Sequence, residues 1–252
     1  MKNKVESSGR VEVVIADLAV IHECDDLLVV AKPAGIAVIP GRGEGAETCL
    51  RHAAEATLAA RGEPSRRLWV VHRLDRDVSG VLVFARTAAA HRRVSMAFER
   101  GEVEKSYWAL VDGAPDKDTG LIDLPLRTGA HAGRTVVDPK HGKPARTRFR
   151  VRERFRRFAV LEVEPETGRT HQIRVHLASI GHPVAGDAAY GGTRTPPSRA
   201  AGVREALLSL RRPALHAARL VFDHPATGDR VRFESPLPDD LLRLVERLRE
   251  YH

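Results

Sequence analysis

The side chains best suited to chemistry lie in one short segment, His72-Arg73-Leu74-Asp75-Arg76-Asp77-Val78-Ser79-Gly80. The segment follows the apolar run 68–71 and precedes the apolar run 81–84, so the pattern predicts a strand, a tight polar turn and a second strand. Such a turn can present one reactive side chain at the rim of a sheet. A carboxylate placed there, Asp75, is suited to act as a nucleophile or as a base. A salt-bridged loop without chemistry would show the same short pattern, so other segments must distinguish the two.

The elements that must position this turn alternate along the chain between short strands and helices. Apolar runs predict strands at residues 11–15, 27–31, 105–111, 215–222 and 230–233. Thr48 is a suitable N-cap for a helix that runs to Ala60 and closes at Gly62. Thr87 is a suitable N-cap for a second helix, which ends at Gly101.

Two more helices and a polar tail complete the predicted organisation. Residues 170–180 predict a helix with one apolar face, because apolar or buried-type side chains recur at i, i+3, i+4 and i+7: Ile173, His176, Leu177 and Ile180. Residues 238–251 predict an amphipathic helix, and residues 191–212 a surface excursion. Many short strands with a few helices indicate one mixed α+β domain over residues 11–252, preceded by a flexible tail at residues 1–10.

Composition and charge favour a polyanionic partner. The 252 residues are 42% hydrophobic and 29% charged, which is enough for a packed core. The formal net charge of +8 suits nucleic acid, because Lys and Arg bind phosphates independently of sequence. No apolar run approaches the roughly 20 residues of a membrane helix, and the N-terminus lacks the apolar region of a signal peptide. We therefore expect a cytoplasmic protein.

The histidines and cysteines do not have the spacing of a metal site. Cys24 and Cys49 form neither a CxxC pair nor a disulfide framework, so we expect buried thiols in a reducing compartment. The chain has 12 histidines, but His171 and His176 are five residues apart and would point about 140° away from each other on a helix. Metal catalysis is therefore not expected.

Residues 121–165 predict a long β-ribbon with an extended loop at its tip, and its second arm is unusually basic. Arginine occupies every second position there, at Arg146, Arg148, Arg150, Arg152, Arg154 and Arg156. Side chains alternate faces along a strand, so the guanidinium groups fall on one face and mainly apolar groups on the other. A solvated strand face would explain some of them. Because like charges repel, however, the row favours a surface beside nucleic-acid phosphates.

Several segments, in order along the chain, resemble the RluA branch of the RNA pseudouridine synthases. Residues 72–80 resemble the family's HRLDxxTSG motif, and residues 25–35 its KPxG strand and turn. The other matching segments are Lys105–Val111, which resembles KxYxAxV, Pro165–Leu177, which resembles GRTHQIRVHL, Gly181–Asp187 with Tyr190, Leu215–Ala217 and His224–Gly228. The similarity covers residues 19–235 and is carried by ordered blocks rather than by one motif.

The resemblance implies the chemistry and the catalytic residues. Conversion of uridine to pseudouridine breaks the C1′–N1 bond and forms a C1′–C5 bond, so it needs no redox cofactor. Asp75 matches the catalytic carboxylate, which acts as a nucleophile or as a base in elimination. Arg174 matches the arginine that orients that carboxylate and lowers its pKa. Tyr107 matches the active-site tyrosine, whose ring can stack on uracil.

The resemblance also implies how the RNA is held. A stacked uridine must be extruded before it can react, and Arg73 matches the residue that occupies the vacated place. The loop at residues 131–143, which carries His141 among its cationic side chains, is a candidate RNA-gripping loop. The full set of predicted RNA-binding residues is His72, Arg73, Arg76, Arg134, Lys140, Lys143, Arg146, Arg148, Arg169 and His171.

The implied architecture is the pseudouridine synthase catalytic fold, a bent, mainly antiparallel mixed sheet with flanking helices and a central RNA-binding cleft. We expect a monomer without metal or other cofactor that acts on rRNA or tRNA. The KPxG-like block begins at Lys32, so a separate S4-type RNA-binding domain is not expected ahead of it. Val78 stands where most relatives have Thr, which removes a hydroxyl from the motif turn.

A non-catalytic RNA-binding protein on the same fold is the remaining alternative. The basic strand allows that function, but the presence of Asp75, Tyr107 and Arg174 together argues against it.

Overall fold

A computed structural model of the chain describes residues 2–5, 11–14, 18–41, 45, 48–62, 67–129, 134–192 and 201–251. The chain forms two compact units. Unit 1 comprises Met1–Val103 with Arg219–Ser235, and unit 2 comprises Glu104–Ala218 with Pro236–His252. A single catalytic domain over residues 11–252 stays a prediction.

Unit 1 contains an antiparallel sheet and two helices. Its elements are β1 (Lys2–Val5), β2 (Val11–Val14), β3 (Val20–Glu23), β4 (Leu27–Lys32), α1 (Leu50–Ala60), β5 (Trp69–Val70), β6 (Ser79–Ala85), α2 (Ala88–Arg100), the second half of β13 (Leu215–Asp223) and β14 (Arg230–Glu234). Strand β4 lies between β3 and β6, β5 also pairs with β6, β13 pairs with β14, and β1 pairs with β2. The strand β1 lies within the segment for which the sequence predicts a tail.

Strand β6 is the central element of unit 1, because every one of its residues is buried. A continuous run of apolar side chains is what a strand covered on both faces requires. The antiparallel register of β6 with β4 runs from Leu27 opposite Ala85 to Lys32 opposite Gly80. This register places Lys32 beside the end of the motif segment 72–80.

One of the two predicted helix caps is confirmed and the other is wrong. The Thr87 hydroxyl accepts a hydrogen bond from Ala90 N at 3.1 Å, and α2 ends at Gly101 in the left-handed conformation, as predicted. Thr48 does not cap α1, which begins two residues later, after Cys49. The Thr48 hydroxyl instead donates to Gly45 O at 2.7 Å, so it stabilises the preceding turn.

The described part of unit 2 contains antiparallel strands, a short two-stranded ribbon and three helices. Its elements are β7 (Glu104–Asp112), β8 (Thr119–Asp123), β9 (Leu126–Thr128), β10 (Thr135–Val137), β11 (Arg146–Arg154), β12 (Phe158–Pro165), α3 (Gln172–Ser179), α4 (Ala201–Ser209), the first half of β13 and α5 (Asp239–Glu250). Strand order in the larger sheet includes β7-β12-β11-β8, with β12 paired to β7 and β11, and β8 paired to β11. The expected α+β class and mainly antiparallel pairing are confirmed.

The predicted ribbon at 121–165 is built differently from a single long hairpin. Strand β11 pairs with β8 on one side and with β12 on the other. Between β8 and β11, β9 and β10 form their own two-stranded sheet, and Lys143 closes it by a bridge to Leu126. We call residues 126–143 the ribbon; of these, residues 130–133 lie outside the described part of the chain.

Four of the six arginines in the row are paired with carboxylates, so their mutual repulsion does not by itself favour phosphates beside β11, and contact of the row with RNA stays a prediction. The ion pairs are Arg146 with Asp123 and Glu166, Arg148 with Glu166, Arg152 with Glu162, and Arg154 with Asp118. A β-bulge between Val151 and Glu153 also interrupts the alternation. Neighbouring acidic side chains therefore neutralise most of the row, and exposed pairs of this kind contribute little to stability.

Helix α3 is buried on all sides rather than along one apolar face. Its buried residues run without a gap from Gln172 to Leu177, whereas Ile180, predicted to be on the apolar face, is 37% exposed. A buried polar network makes this possible. Gln172 Nε2 donates to Thr147 Oγ1 at 3.0 Å, and Thr147 Oγ1 lies 2.8 Å from His176 Nδ1. The network anchors the helix that carries Arg174.

The remaining predicted elements are present. Helix α5 agrees with the predicted C-terminal helix, and Asp239 and Asp240 lie in its first turn. Helix α4 lies within the predicted excursion at 191–212, of which residues 193–200 are outside the described part. Among the described residues, no helix has the length and apolar character needed to cross a membrane.

The burial of the His176 imidazole predicts how the stability of the fold depends on pH. Burial lowers the pKa of His176 below its ordinary value of 6.5, although the hydrogen bond to Leu124 and the charge of Asp123 raise it. Because Nε2 lies 2.9 Å from the Leu124 carbonyl, which can only accept, Nε2 carries the proton and Nδ1 accepts from Thr147. The folded protein therefore holds His176 neutral.

Below pH 6.5 the unfolded chain binds a proton at residue 176 that the folded chain resists. The contribution of His176 to the free energy of unfolding is therefore complete above that pH and is lost as the pH falls. Urea unfolding at pH 7.5 and pH 5.0 will show a larger acid loss in the wild type than in His176→Gln. That variant should itself cost about 1–3 kcal/mol at pH 7.5. His52→Gln, on the half-exposed part of α1, is the control; equal pH dependence in all three proteins would contradict the prediction.

Candidate active site

The motif turn of unit 1 is held by a buried lysine. Lys32 is only 1% exposed, and its ammonium donates to the carbonyls of Pro33 at 2.7 Å, Arg76 at 2.9 Å and Val78 at 2.8 Å. Two of these acceptors flank Asp77 within the motif, and Gly35 N adds a 2.9 Å bond to the same Arg76 carbonyl. The Lys-Pro-Ala-Gly turn thus serves as the base on which the motif turn is built.

Asp75 lies at the start of this turn and is half-buried. Its carbonyl accepts a hydrogen bond from Val78 N at 3.1 Å, which closes the turn. Val78 is 2% exposed and packs in the core, so its contribution to the turn comes from its backbone N–H and carbonyl. The missing threonine hydroxyl therefore does not remove the bonds that shape the turn around Asp75.

The arginines beside Asp75 and the motif histidine have different surroundings. Arg73 and Arg76 are exposed, as residues that contact RNA must be. His72 is half-buried; its ring stacks on Phe98 at 4.6 Å between centroids, and its Nε2 accepts from Val83 N at 3.1 Å. The structure thus gives His72 a packing role, and its predicted contact with RNA stays a prediction.

In unit 2, Arg174 is buried and held by a carboxylate. The guanidinium donates from Nε to Asp187 Oδ2 at 2.6 Å and from a terminal nitrogen to Asp187 Oδ1 at 2.9 Å. Asp187 is 1% exposed and Arg174 9% exposed, so this bidentate pair is shielded from solvent. Such a pair fixes the plane of the guanidinium as well as its position.

A tight turn supports this carboxylate. Asp187 O accepts from Tyr190 N and from Gly192 N, and its Oδ1 accepts from Ala189 N at 3.1 Å. Two glycines make the turn possible: Gly186 has φ 76°, and a Cβ on Gly192 would lie 1.9 Å from the Val184 carbonyl. The turn also brings the Tyr190 ring under Arg174, whose Cζ lies 4.9 Å from the ring centroid.

Tyr107 belongs to β7 and lies opposite Val163 of β12. Its side chain is half-buried. By chain position, Tyr107 and Arg174 belong to unit 2, whereas Asp75 belongs to unit 1. The roles of the three residues stay predictions.

The ribbon carries most of the predicted RNA-gripping cations. Between residues 126 and 143 the basic residues are Arg127, Arg134, Lys140 and Lys143, and Asp138 is the one acidic residue. Asp138 is engaged within the ribbon: it accepts from Lys140 N and His141 N and pairs with Arg127. These bonds lower the pKa of Asp138 to about 2. Arg134, Lys140 and Lys143 are exposed.

The other predicted RNA-binding residues are engaged within unit 2. Arg146 and Arg148 form the ion pairs of β11 described above, and the exposed Arg169 donates to Pro144 O at 3.1 Å. His171 Nδ1 lies 2.7 Å from the Tyr190 hydroxyl. Contact of these four side chains with RNA stays a prediction.

Sequence reasoning assigned no role to Lys32, which supports the turn around Asp75 in unit 1, or to Asp187 and Tyr190, which surround Arg174 in unit 2. One signal was available for Lys32, which ends an apolar strand directly before a Pro-Ala-Gly turn. Asp187 and Tyr190 lie in a glycine-rich segment, and nothing local in that segment indicates partners in α3. Among the residues that the structure describes, no group of three or more His, Cys, Asp or Glu could hold a metal ion.

Comparison with known sequences identifies a family and its relatives. A family model described as RNA pseudouridylate synthase matches residues 26–179. The protein named ribosomal large subunit pseudouridine synthase D from Nitrosomonas europaea is 43% identical over 233 residues, which are 92% of this chain and 65% of that protein. The protein of the same name from Vibrio cholerae is 38% identical over 251 residues, 98% of this chain and 76% of that protein. The chain therefore spans 65% and 76% of the length of these two relatives.

Solved structures agree with the sequence comparison. Human RNA Pseudouridylate Synthase Domain Containing 4 is similar with a TM-score of 0.72 at 26% identity, over 92% of this chain and 93% of that one. Human RNA Pseudouridylate Synthase Domain Containing 1 has a TM-score of 0.67 at 26% identity, over 92% of this chain and 95% of that one. The fold expected from the sequence is thereby confirmed.

Removal of the Lys32 ammonium, which donates to three carbonyls, should cause a large loss of stability. Lys32→Met keeps the apolar stem but leaves the Pro33 and Val78 carbonyls without the ammonium donor. Loss of the donor to a buried carbonyl costs about 1–3 kcal/mol, so for two carbonyls we expect urea unfolding to show a free energy of unfolding lower by about 2–6 kcal/mol. Lys117→Met, at an exposed position, should change stability by less than about 0.5 kcal/mol. Unchanged or increased stability of Lys32→Met would mean that the cost of burying the charge exceeds the gain from its bonds.

Proposed function

Because the chain belongs to the RNA pseudouridylate synthase family, whose members are isomerases that act on RNA, we propose that it converts uridine in large-subunit ribosomal RNA to pseudouridine with Asp75 as the catalytic carboxylate. The observation that carries the proposal is the turn around Asp75, which Lys32 holds from beneath at the Arg76 and Val78 carbonyls. This turn lies inside the matched residues 26–179. A carboxylate on a rigid, half-buried turn is what positioned catalysis requires.

The reaction is an isomerisation, so the composition of the base does not change. The C1′–N1 bond breaks, the uracil turns and C5 bonds to C1′. The hydrogen of C5 leaves as a proton, and N1 takes up a proton in its place. Asp75 acts either as the nucleophile at C1′ or as the base that removes a ribose proton, and both alternatives need the ionised carboxylate. Neither alternative needs an external oxidant or reductant.

We assign Arg174 and Tyr107 supporting roles in the same reaction. The Arg174 guanidinium stabilises negative charge at the reacting centre, and Asp187 and the Tyr190 ring hold it in one orientation. Tyr107 supplies a flat ring for the uracil, because a half-buried strand tyrosine leaves one part of the ring accessible. Its hydroxyl is also able to move a proton.

The ribbon binds the RNA backbone and Arg73 assists extrusion of the base. Exposed cations at Arg134, Lys140 and Lys143 favour phosphate contact, since the one acidic side chain of the ribbon is turned to its own backbone and to Arg127. Arg73 is exposed directly beside Leu74 and Asp75, where a side chain could replace an extruded base. The choice of large-subunit rRNA follows the names of the relatives, and tRNA is the alternative substrate to be tested.

Substitution of Asp75 will abolish isomerisation. We expect Asp75→Asn to lower the rate of tritium release from [5-³H]uridine-labelled large-subunit rRNA by at least about 10³-fold, because the amide cannot act as nucleophile or base. Asp77→Asn is the matched control: it makes the same chemical change two residues away at an exposed position. It should retain at least half of the wild-type rate.

The same assay distinguishes the alternatives. Release from labelled tRNA but not from large-subunit rRNA would replace the proposed substrate. If wild-type protein bound RNA but released no tritium from either RNA, the non-catalytic RNA-binding alternative would hold. Equal rates for the wild type and Asp75→Asn would remove Asp75 from the mechanism.

Arg73→Ala should impair conversion more than binding. We expect single-turnover conversion to fall about 10-fold or more while the Kd for the RNA changes less than about 3-fold, because extrusion of the base follows docking. Arg92→Ala, an exposed arginine on α2, is the control for general loss of positive charge. Parallel losses of binding and conversion in Arg73→Ala would assign Arg73 to phosphate binding.

A further inference from the structure

Tyr190 contacts both the ribbon and the Arg174 guanidinium. Its hydroxyl accepts from Thr135 N, the first residue of β10, at 3.1 Å, and lies 2.7 Å from His171 Nδ1. Its ring is beneath the Arg174 guanidinium at 4.9 Å, and the Arg134 guanidinium of the ribbon lies 5.5 Å from the same ring centroid. One side chain thus contacts both the proposed RNA-binding element and the buried active-site arginine.

The contacts on the Tyr190 hydroxyl are shielded from water. Tyr190 is 9% exposed and Thr135 1% exposed, so the Thr135 N–H would have to give up a buried hydrogen bond to leave the hydroxyl. The Tyr190 ring packs in a small core with Leu126 and Val137 of the ribbon. On its other side that core contains Val175 and Ala178 of α3, the helix that also carries Arg174.

His171 adds a strained position to this junction. It is the one non-glycine residue with positive φ in the described part of the chain, at φ 55° and ψ 20°. The left-handed conformation is unfavourable for residues with a Cβ and persists where surrounding contacts hold it. Here the contacts are the hydrogen bond to Tyr190 and an edge-on ring contact with a centroid distance of 5.6 Å. The start of α3 is therefore tied to the same hydroxyl as β10.

We propose that Tyr190 is a positioning residue that couples the ribbon to Arg174, so that RNA bound on the ribbon further restrains the Arg174 guanidinium in the orientation that Asp187 gives it. A shift of β10 would move the Tyr190 hydroxyl through its hydrogen bond to Thr135 N. The Tyr190 ring and the Asp187 turn would then pass that shift to the Arg174 guanidinium. The inference rests on the proposed function and extends it. It makes substrate docking on the ribbon a requirement for full activity of the reacting centre.

The first test is a double-mutant cycle in kcat. Tyr190→Phe keeps the ring and removes the hydroxyl, and we expect kcat on large-subunit rRNA to fall about 10-fold. The double variant Lys140→Ala with Lys143→Ala weakens RNA contact on the ribbon without touching Tyr190, and we expect its kcat to fall about 5-fold. Combined, the three substitutions should lower kcat no further than Tyr190→Phe alone, because the route from ribbon to Arg174 is already broken.

Controls separate this coupling from a general loss of stability. Tyr251→Phe removes the other phenol of this unit that lies outside the proposed site, on an exposed residue, and should leave kcat unchanged. If Tyr190→Phe does not fold, His171→Gly replaces it: glycine tolerates the left-handed conformation and has no side chain to bond the Tyr190 hydroxyl. Losses of kcat that multiply in the cycle, or an unchanged kcat in a folded Tyr190→Phe, would overturn the proposal.

Hydrogen–deuterium exchange tests the coupling independently of catalysis. Addition of large-subunit rRNA fragments should slow exchange in residues 171–179 of the wild type and leave these residues unchanged in Tyr190→Phe, with the ribbon protected in both. Equal protection of α3 in both proteins overturns the coupling. A wild type that shows the coupling but releases no tritium overturns the proposed function alone, and a ribbon that RNA never protects overturns the coupling together with the ribbon's role.

Discussion

The ammonium of Lys32 joins two turns that are 44–46 residues apart in the chain. Its three carbonyl acceptors lie in a poorly solvated environment, where a charged donor forms stronger hydrogen bonds than it would in water. The pairing of β4 with β6 brings Lys32 opposite Gly80, so the sheet register delivers the ammonium to the motif turn. The place of Asp75 therefore depends on one buried charge, and the charge depends on the register of two apolar strands.

In unit 2 the buried cation Arg174 is held by a carboxylate rather than by backbone carbonyls. Arg174 is buried beside a carboxylate, and the loss of hydration on both partners offsets much of their attraction, so the pair orients more than it stabilises. Orientation is what a reacting centre needs, because a guanidinium held in one plane requires no rearrangement when charge develops. The turn that begins at Asp187 presents both the carboxylate and the Tyr190 ring to Arg174, so one short segment defines its surroundings.

The distribution of charge shows why a basic composition says little about where RNA binds. The chain carries a net charge of +8, yet four arginines in its densest row, on β11, are paired with carboxylates: Arg146, Arg148, Arg152 and Arg154. The ribbon has fewer cations, but its only acidic side chain, Asp138, is hydrogen-bonded to the backbone of its own turn. Accessible positive potential depends on which acidic side chains lie nearby, and the folded pairing of strands decides that.

The sequence by itself determined the elements and the family. Thr87 caps α2, the apolar run after the motif forms β6, and the ordered motifs name the fold, because these signals are local or are matched block by block. The helix cap predicted at Thr48 was wrong, because its hydroxyl donates to the preceding Gly45 carbonyl instead of capping α1. Only the tertiary structure decided which side chains meet: Lys32 with the motif turn, Arg174 with Asp187, and Tyr190 with the backbone of Thr135. Those partners are brought together by strand register and turn geometry, which periodicity and capping do not encode.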